Sequence, residues 1–379
     1  MTKILAPSKF DVVGSFLRPV ELKEAREKFK KGEISAQELK GVEDREIEKL
    51  VKKEKEAGLK IISDGEFRRS WWHFDFFWCL HGIEKYTLAE DELIHFHGET
   101  LRPEGIKVVG KISGKNHPFL EHYKFLKGFE DENTVAKQTV PSPAQLLRGV
   151  YNQIKKGNPY EDVKEFIKDV SAAYGEFFKE IYDLGCRNLQ LDDCAWGSVL
   201  DPSFAERFHV DAKSIDELKE EYLKINNDAI DKAPEGLNIT THICRGNYKS
   251  HYASEGSYDS VADYVLAREK VNAFYLEYDD ERSGDFKALA KIPEGKKVVL
   301  GIVTSKRAEL EDKNKLIERI KEAAKYIPLE NICISTQCGF ASTEEGNTVT
   351  EEDQWKKIAL LKEVAEEILL WIKIAILNF

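Results

Sequence analysis

His242-Ile243-Cys244 is the sharpest chemical signal in the chain. Side chains two apart on a β-strand point the same way, so this histidine and cysteine can address one metal ion. The HxC pattern alone is weak, since packing or chance also produces it. It gains weight from Cys338, which ends a second β-rich run, and from Glu277, which ends a third. Two thiolates, an imidazole and a carboxylate form a soft-to-borderline set that suits tetrahedral Zn2+. The plainer reading of Glu277 is a solvated or salt-bridged acid near Arg282. A free thiol, with pKa about 8.5, is mostly protonated at neutral pH, and the thiolate is the nucleophile. A coordinated thiol is deprotonated outright, so such a centre suits activation of a substrate thiol.

Acids gather at other run ends. Asp192-Asp193 and Glu66 form a patch suited to a substrate ammonium group. The alternative is acid–base work by paired carboxylates on a glycoside. Adjacent strand residues face opposite ways, so one aspartate is expected in the site and the other in a supporting role. The aromatic run RRSWWHFDFFW (68 to 78) reads as a packed loop and helix over the site, or as a wall for a flat or apolar substrate part. His73 within it reads as structural.

These residues need elements to position them. Short β-rich runs alternate with amphipathic helical stretches. The runs are FDVVGSF (10 to 16), LKIISDGEF (59 to 67), VAKQTVP (135 to 141), RNLQLDD (187 to 193), LNITTHIC (237 to 244), AFYLEYDD (273 to 280), KKVVLGIVTS (296 to 305) and NICISTQCG (331 to 339). Helices are expected over about 19 to 57 with a break near Lys31-Gly32, and over 160 to 184, 214 to 233, 259 to 268, 313 to 326 and from 351 onward. Strands joined by helices pair in parallel, and eight such units predict an α/β fold of the TIM (β/α)8 barrel type. A β-hairpin inserted at about 85 to 115 interrupts it. Residues 1 to 379 then make a single domain. A doubly wound open sheet is the alternative, but no GxGxxG or Walker motif supports it. In a barrel the active site lies at the C-terminal strand ends, where these thiols, imidazole and acids fall.

Composition narrows the partners. The net charge of −11 repels nucleic-acid phosphates and anionic lipids, so small-molecule substrates are expected and neither nucleic acid nor membrane is. The N-terminus carries no apolar leader, and the six cysteines form no CxxC pair, so a cytoplasmic location without disulfides is expected. The apolar end ILLWIKIAILNF is too short to span a bilayer and reads as a last helix packed on the body or on another subunit, which leaves a homo-oligomer open. Met1 is the only methionine.

The motifs SDGEFRRSWWHFDF, LQLDD, THICRGN, EYDDERSGDF and QCGFASTEEGN resemble the catalytic barrel of cobalamin-independent methionine synthase, above all the short single-barrel bacterial members of that superfamily. The likeness runs from VVGSFLRP (12 to 19) to QCGFAS (337 to 342). It implies a TIM barrel with Zn2+ held by His242, Cys244, Glu277 and Cys338. It implies homocysteine at Val13, Gly14, Ser15, Glu66 and Asp192, the acids on its amino group and donors near Ser15 on its carboxylate. The implied reaction passes a methyl group from N5 of a methylated folate to the zinc-bound sulfur, giving methionine. Three features depart from the long enzymes. Their N-terminal barrel is missing. Their acid histidine, in a DxHS pattern, is replaced by Thr304 in GIVTSK. Their folate-stacking tryptophan is absent near VPSPAQ (140 to 145). A folate bound differently, a corrinoid protein or another methylated compound is therefore open as donor, with Lys306 or a water as acid. Thiol opening of epoxides and non-catalytic thiol binding are the other readings of the same ligands.

Overall fold

The later β-rich runs are buried on both faces, as strands covered by helices must be. In the computed structural model they pair in parallel. The description covers residues 4–90, 95–155, 159–207 and 212–377, the side chains of 95, 155, 207, 212–213 and 372–377 excepted. Strands β7 (Gln138–Pro141), β8 (Asn188–Asp192), β9 (Asn238–Ile243), β10 (Ala273–Glu277), β11 (Lys297–Val303) and β12 (Ile332–Thr336) form one six-stranded sheet in sequence order. A separate parallel pair joins β1 (Ile61–Ile62) to β6 (Val135–Ala136), just ahead of β7.

The first run departs from expectation. Residues 10–16 form no strand, only a parallel bridge from Phe10 to Ile334 of β12. Further along, Ser63 donates to the Gly14 carbonyl and the Phe16 amide donates to the Gly65 carbonyl, both just past β1. Gly14 has φ +148, and a Cβ there would meet Thr139 Cγ2 at 2.7 Å. The segment thus lies between β12 and β1 but leaves the extended ladder geometry. A continuous eight-strand ladder is not what the backbone forms.

The sheet nevertheless curls. Tyr275 from β10 donates to Asp11 (2.7 Å), while Lys137, between β6 and β7, donates to Gln190 of β8 (2.9 Å) and the Val12 carbonyl (2.7 Å). These groups meet in the interior from different strands. Tyr275, Val299 and Cys333 form their own small apolar cluster.

Helices α1 (Val20–Lys30) and α2 (Ala36–Glu56) break where Lys31-Gly32 predicts. A capping box starts α2: Ser35 Oγ accepts from the Glu38 amide and the Glu38 carboxylate accepts from the Ser35 amide. After the short α3 (Phe74–Phe77) come α4 (Phe119–Lys127) and α5 (Pro143–Lys155), neither of them expected from the sequence. Helix α6 (Val163–Asp183) buries Phe166, Ile167, Val170, Tyr174, Phe177 and Ile181, the three-and-four spacing of a core-facing stripe. Then follow α7 (Cys194–Val199), α8 (Phe204–Arg207) and α9 (Ala212–Ile230). The expected helix at 259 to 268 is two pieces, α10 (Asp259–Ala262) and α11 (Val265–Arg268). Helices α12 (Lys313–Ala323) and α13 (Glu351–Leu377) complete the order.

The insertion is larger than the expected hairpin. Strand β2 (His81–Thr87) pairs antiparallel with β5 (Glu104–Ser113), so IKVVGKI pairs with HGIEKYT rather than with LIHFHG. Within it, β3 (His95–Phe96) pairs with β4 (Glu99–Thr100) as a second, small hairpin. Residues 91–94, part of the expected hairpin, lie outside the described residues. No helix among the described residues is long and apolar enough to cross a membrane.

Candidate metal and thiol site

His242 is the penultimate residue of β9, Cys244 lies one residue beyond that strand, and Cys338 follows β12. Three inter-strand steps of about 4.8 Å would put β9 and β12 about 14 Å apart in a flat sheet. Their ligand atoms instead lie within 4.8 Å of one another, because the curl brings the C-terminal ends together. All three side chains are buried.

The chemistry of this donor set fits zinc. Asp192 Oδ1 is 3.1 Å from His242 Nδ1, and Gln190 Nε2 donates to the same oxygen at 2.7 Å. Asp192 thus fixes the imidazole so that Nε2 faces the thiols, the supporting contact usual for a metal-ligating histidine. Nε2 lies 3.2 Å from the Gln337 carbonyl. Burial opposes a charge on His242, but the hydrogen bonds with Asp192 and Cys338 outweigh it and raise the metal-free ring to about 10. Hydrogen bonding with Cys194 and burial hold Cys244 well up; the bond with Cys244 and burial do the same for Cys338. A metal reverses both trends, since its ligands bind deprotonated.

Glu277 is fully buried but is not part of this trio. Its Oε2 accepts from the Arg245 amide at 2.9 Å. Its Oε1 makes no hydrogen bond and lies 3.4 Å from Arg282 and 4.0 Å from Lys306.

A cavity opens over the trio, lined by Val13, Ser15, Glu66 and Asp192 but not by Gly14 or Glu277. Glu66 stands on a left-handed turn, φ +59, directly after Gly65 at φ +64. That turn aims a buried carboxylate inward. Its Oε1 accepts from Thr139 (2.9 Å) and pairs with Arg69 (3.3 Å), while Oε2 is buried without a hydrogen bond. Burial, and then the nearby Asp192 charge, raise the Glu66 pKa against the pull of Arg69. Ser15 packs against Gly339, where a Cβ would fall 1.8 Å from Ser15 Oγ. Asp193 turns away: it caps α7 through the Ala195 amide and accepts from Asn226 at 2.8 Å. Thr304 is buried outside the cavity, its amide bound to Glu311.

Sequence reasoning missed Cys194, whose Sγ is 3.2 Å from Cys244, and Tyr248, which lines the cavity. Cys194 follows the Asp192-Asp193 pair directly, a signal that was available. Tyr248 carries none.

Residues 10–360 match the family model described as the catalytic domain of cobalamin-independent synthase. The protein YxjH of Bacillus subtilis (strain 168), itself uncharacterized, is 43% identical over 364 residues, 96% of this chain and 95% of its own length. A solved structure of a candidate vitamin-B12 independent methionine synthase from Listeria monocytogenes is 36% identical with a TM-score of 0.76, covering 97% of this chain and 99% of that one. A B12-independent methionine synthase from Shewanella sp. W3-18-1, solved with selenomethionine, shares the fold at 18% identity and a TM-score of 0.68, covering 98% and 99%. With the match spanning the whole six-stranded sheet and every residue of the trio, the chain belongs to the cobalamin-independent methionine synthase catalytic-domain family.

Proposed function

We propose that this protein is a zinc-dependent methyltransferase that places a methyl group on the thiol of homocysteine, giving methionine. The observation that carries the reading is a buried His-Cys-Cys trio beside a buried carboxylate oxygen, Glu66 Oε2, that lacks a hydrogen-bond donor. A buried, unpaired acceptor is costly unless a ligand supplies the donor, and an amino acid's ammonium group does. Family membership and the selenomethionine complex of the Shewanella relative support the same substrate class. The eight sequence units are read as one closed TIM barrel, supported by the curl and by the placement of residues 10–16 between β12 and β1.

His242, Cys244 and Cys338 would hold zinc, with Glu277 as the proposed fourth, exchangeable ligand. Zinc, when bound, would keep a substrate thiol as thiolate at neutral pH. The chain's own residues do the rest. Asp192 orients His242 through Nδ1. Glu66 and Asp192 receive the ammonium group, and donors at Ser15 face the carboxylate. Val13 and the aromatic wall limit water at the reacting sulfur.

Purified protein is expected to carry about one zinc per chain and, when zinc-loaded, to bind homocysteine and form methionine from a methyl donor. Zinc-loaded protein without affinity for homocysteine, or with equal affinity for thiols lacking the amino group, would sink the reading.

A further inference from the structure

The cavity above the thiols has an aromatic wall from three separate elements. Trp71, Trp72 and Phe74 come from the run after β1, Phe96 from the inserted hairpin, and Tyr248 from the loop after β9. Trp71 and Tyr248 lie nearly parallel, 5° apart with centroids at 6.2 Å. Phe96 leans on Tyr248 at 5.8 Å and Phe74 meets Trp71 edge-on at 5.2 Å. The wall is held by design: Trp71 Nε1 donates to Glu104 at 2.6 Å, and the His97 amide ties the small hairpin to the Tyr252 carbonyl. Ring faces attract cations, and two of these rings already carry one. Arg102 sits 4.7 Å from the Trp71 ring centre and Lys249 5.2 Å from that of Tyr248. Arg102 is itself matched by Glu344 (2.8 Å) and Glu345 (3.2 Å), and Arg245, also in the lining, donates to the Gly256 and Glu277 carbonyls.

The same cavity offers no histidine free to act as a proton donor, and its Glu66 carboxylate is engaged by Thr139 and Arg69. An amine leaving from a methylated folate must take up a proton as its bond to carbon breaks. The place of the family's acid is Thr304, and neither Thr304 nor Lys306 lines the cavity. The histidines that do are His242, which belongs to the trio, and His73. Burial, with a smaller push from Arg148, lowers His73 to about 3, so it holds no imidazolium to give.

We propose that the methyl donor of this protein is an onium compound, a small sulfonium or quaternary ammonium, bound against the Trp71, Phe96 and Tyr248 rings. The inference rests on the thiol-methylation reading above. The thiolate's electron pair forms the new S–CH3 bond. The bond from that carbon to the positive sulfur or nitrogen breaks, and its pair stays on the departing atom. Sulfide or tertiary amine leaves neutral, so no proton or further reactant is needed. A negative thiolate and a positive donor become two neutral products, a loss of charge that the aromatic side of the cavity favours over bulk water.

The test is a donor screen with zinc-loaded protein, homocysteine and methyl-labelled S-methylmethionine, glycine betaine, 5-methyltetrahydrofolate or methylcobalamin. Labelled methionine should form from one onium at least 100-fold faster than from the folate or the corrinoid, and the winning arm separates sulfonium from ammonium. Its kcat should not fall as pH rises from 7 to 9, as it would with an essential acid. Tyr248→Leu and Phe96→Leu should each raise the KM for the onium about tenfold while leaving the KM for homocysteine unchanged. Preference for folate or corrinoid, no transfer from either onium, or an unchanged onium KM in both variants overturns the proposal. Calorimetric titration with homocysteine, run separately, tells that failure from failure of the thiol-methylation reading.

Discussion

Asp192 both pairs with His242 of the trio and lines the cavity above it. Replacing it with asparagine keeps the shape but removes the charge that fixes His242. Zinc affinity should fall about 10- to 100-fold, with the KM for homocysteine rising as well. Competitive zinc titration with a chromophoric chelator measures the first and initial rates the second. The thiols should separate just as cleanly. Cys244→Ser and Cys338→Ser should purify with little metal, whereas Cys194→Ser should keep about one zinc per chain, because Cys194 touches Cys244 but lies outside the trio. Zinc lost from the Cys194 variant would place that thiol in the ligand set. At this scale the sequence was most legible where chemistry-bearing residues end strands. His242, Cys244 and Cys338 could be read because alternation and strand ends are local properties. The pairing of Asp192 with His242 was not readable, because it depends on the register of β8 against β9.

Short elements set how closely the backbone that carries the trio can be approached. Helix α7 lies on the Cys244 carbonyl, and a Cβ on Gly197 would sit 1.8 Å from that oxygen. Ser254 locks the contact by donating to the Gly197 carbonyl at 2.6 Å. Gly197→Ala must therefore push helix and ligand loop apart, costing about 1–3 kcal/mol and loosening zinc. Chemical unfolding and metal titration of one preparation would test both effects; unchanged values would show that the contact yields freely. Beneath α7, Glu269 is fully buried and accepts from Trp196 at 3.2 Å. Burial, then the Asp193 charge, raise its pKa to about 8. The folded state then holds a proton that the unfolded chain has already released above about 4.5. The stability this gives is complete below about pH 4.5 and is lost, at about 1.4 kcal/mol per pH unit, as pH rises toward 8. Glu269→Gln should raise Tm at pH 8 and change it little at pH 4.5. A variant that melts alike at both values would contradict the assignment. Helices α1, α2, α6, α9, α12 and α13 were legible from amphipathic spacing and caps. Helices α4 and α5 were not, because Phe119–Lys127 lies between turn residues and Pro143–Lys155 is separated by a single residue from a strand that ends in proline.

Across the whole molecule, the order of units was legible and the closure was not. Residues 10–16 have a strand's composition, yet Gly14 at φ +148 and contacts with Ser63 and Gly65 take them out of a ladder. That outcome depends on both neighbours, β12 and β1, which are distant in sequence. The trio also joins stretches far apart in sequence, from His242 to Cys338, and brings the end of β9 to the loop after β12. Zinc that binds the native trio more tightly than the unfolded chain must stabilise the whole fold, by about 4 kcal/mol at free zinc about 1,000 times Kd. Calorimetric melts over a series of buffered zinc concentrations should therefore show Tm rising with the logarithm of free zinc. Cys338→Ser should abolish the rise, although Cys338 lies outside every strand. A slope that survives in that variant would mean that zinc stabilises the protein from somewhere other than the mouth of the sheet, and the thiol chemistry would lose its centre with it.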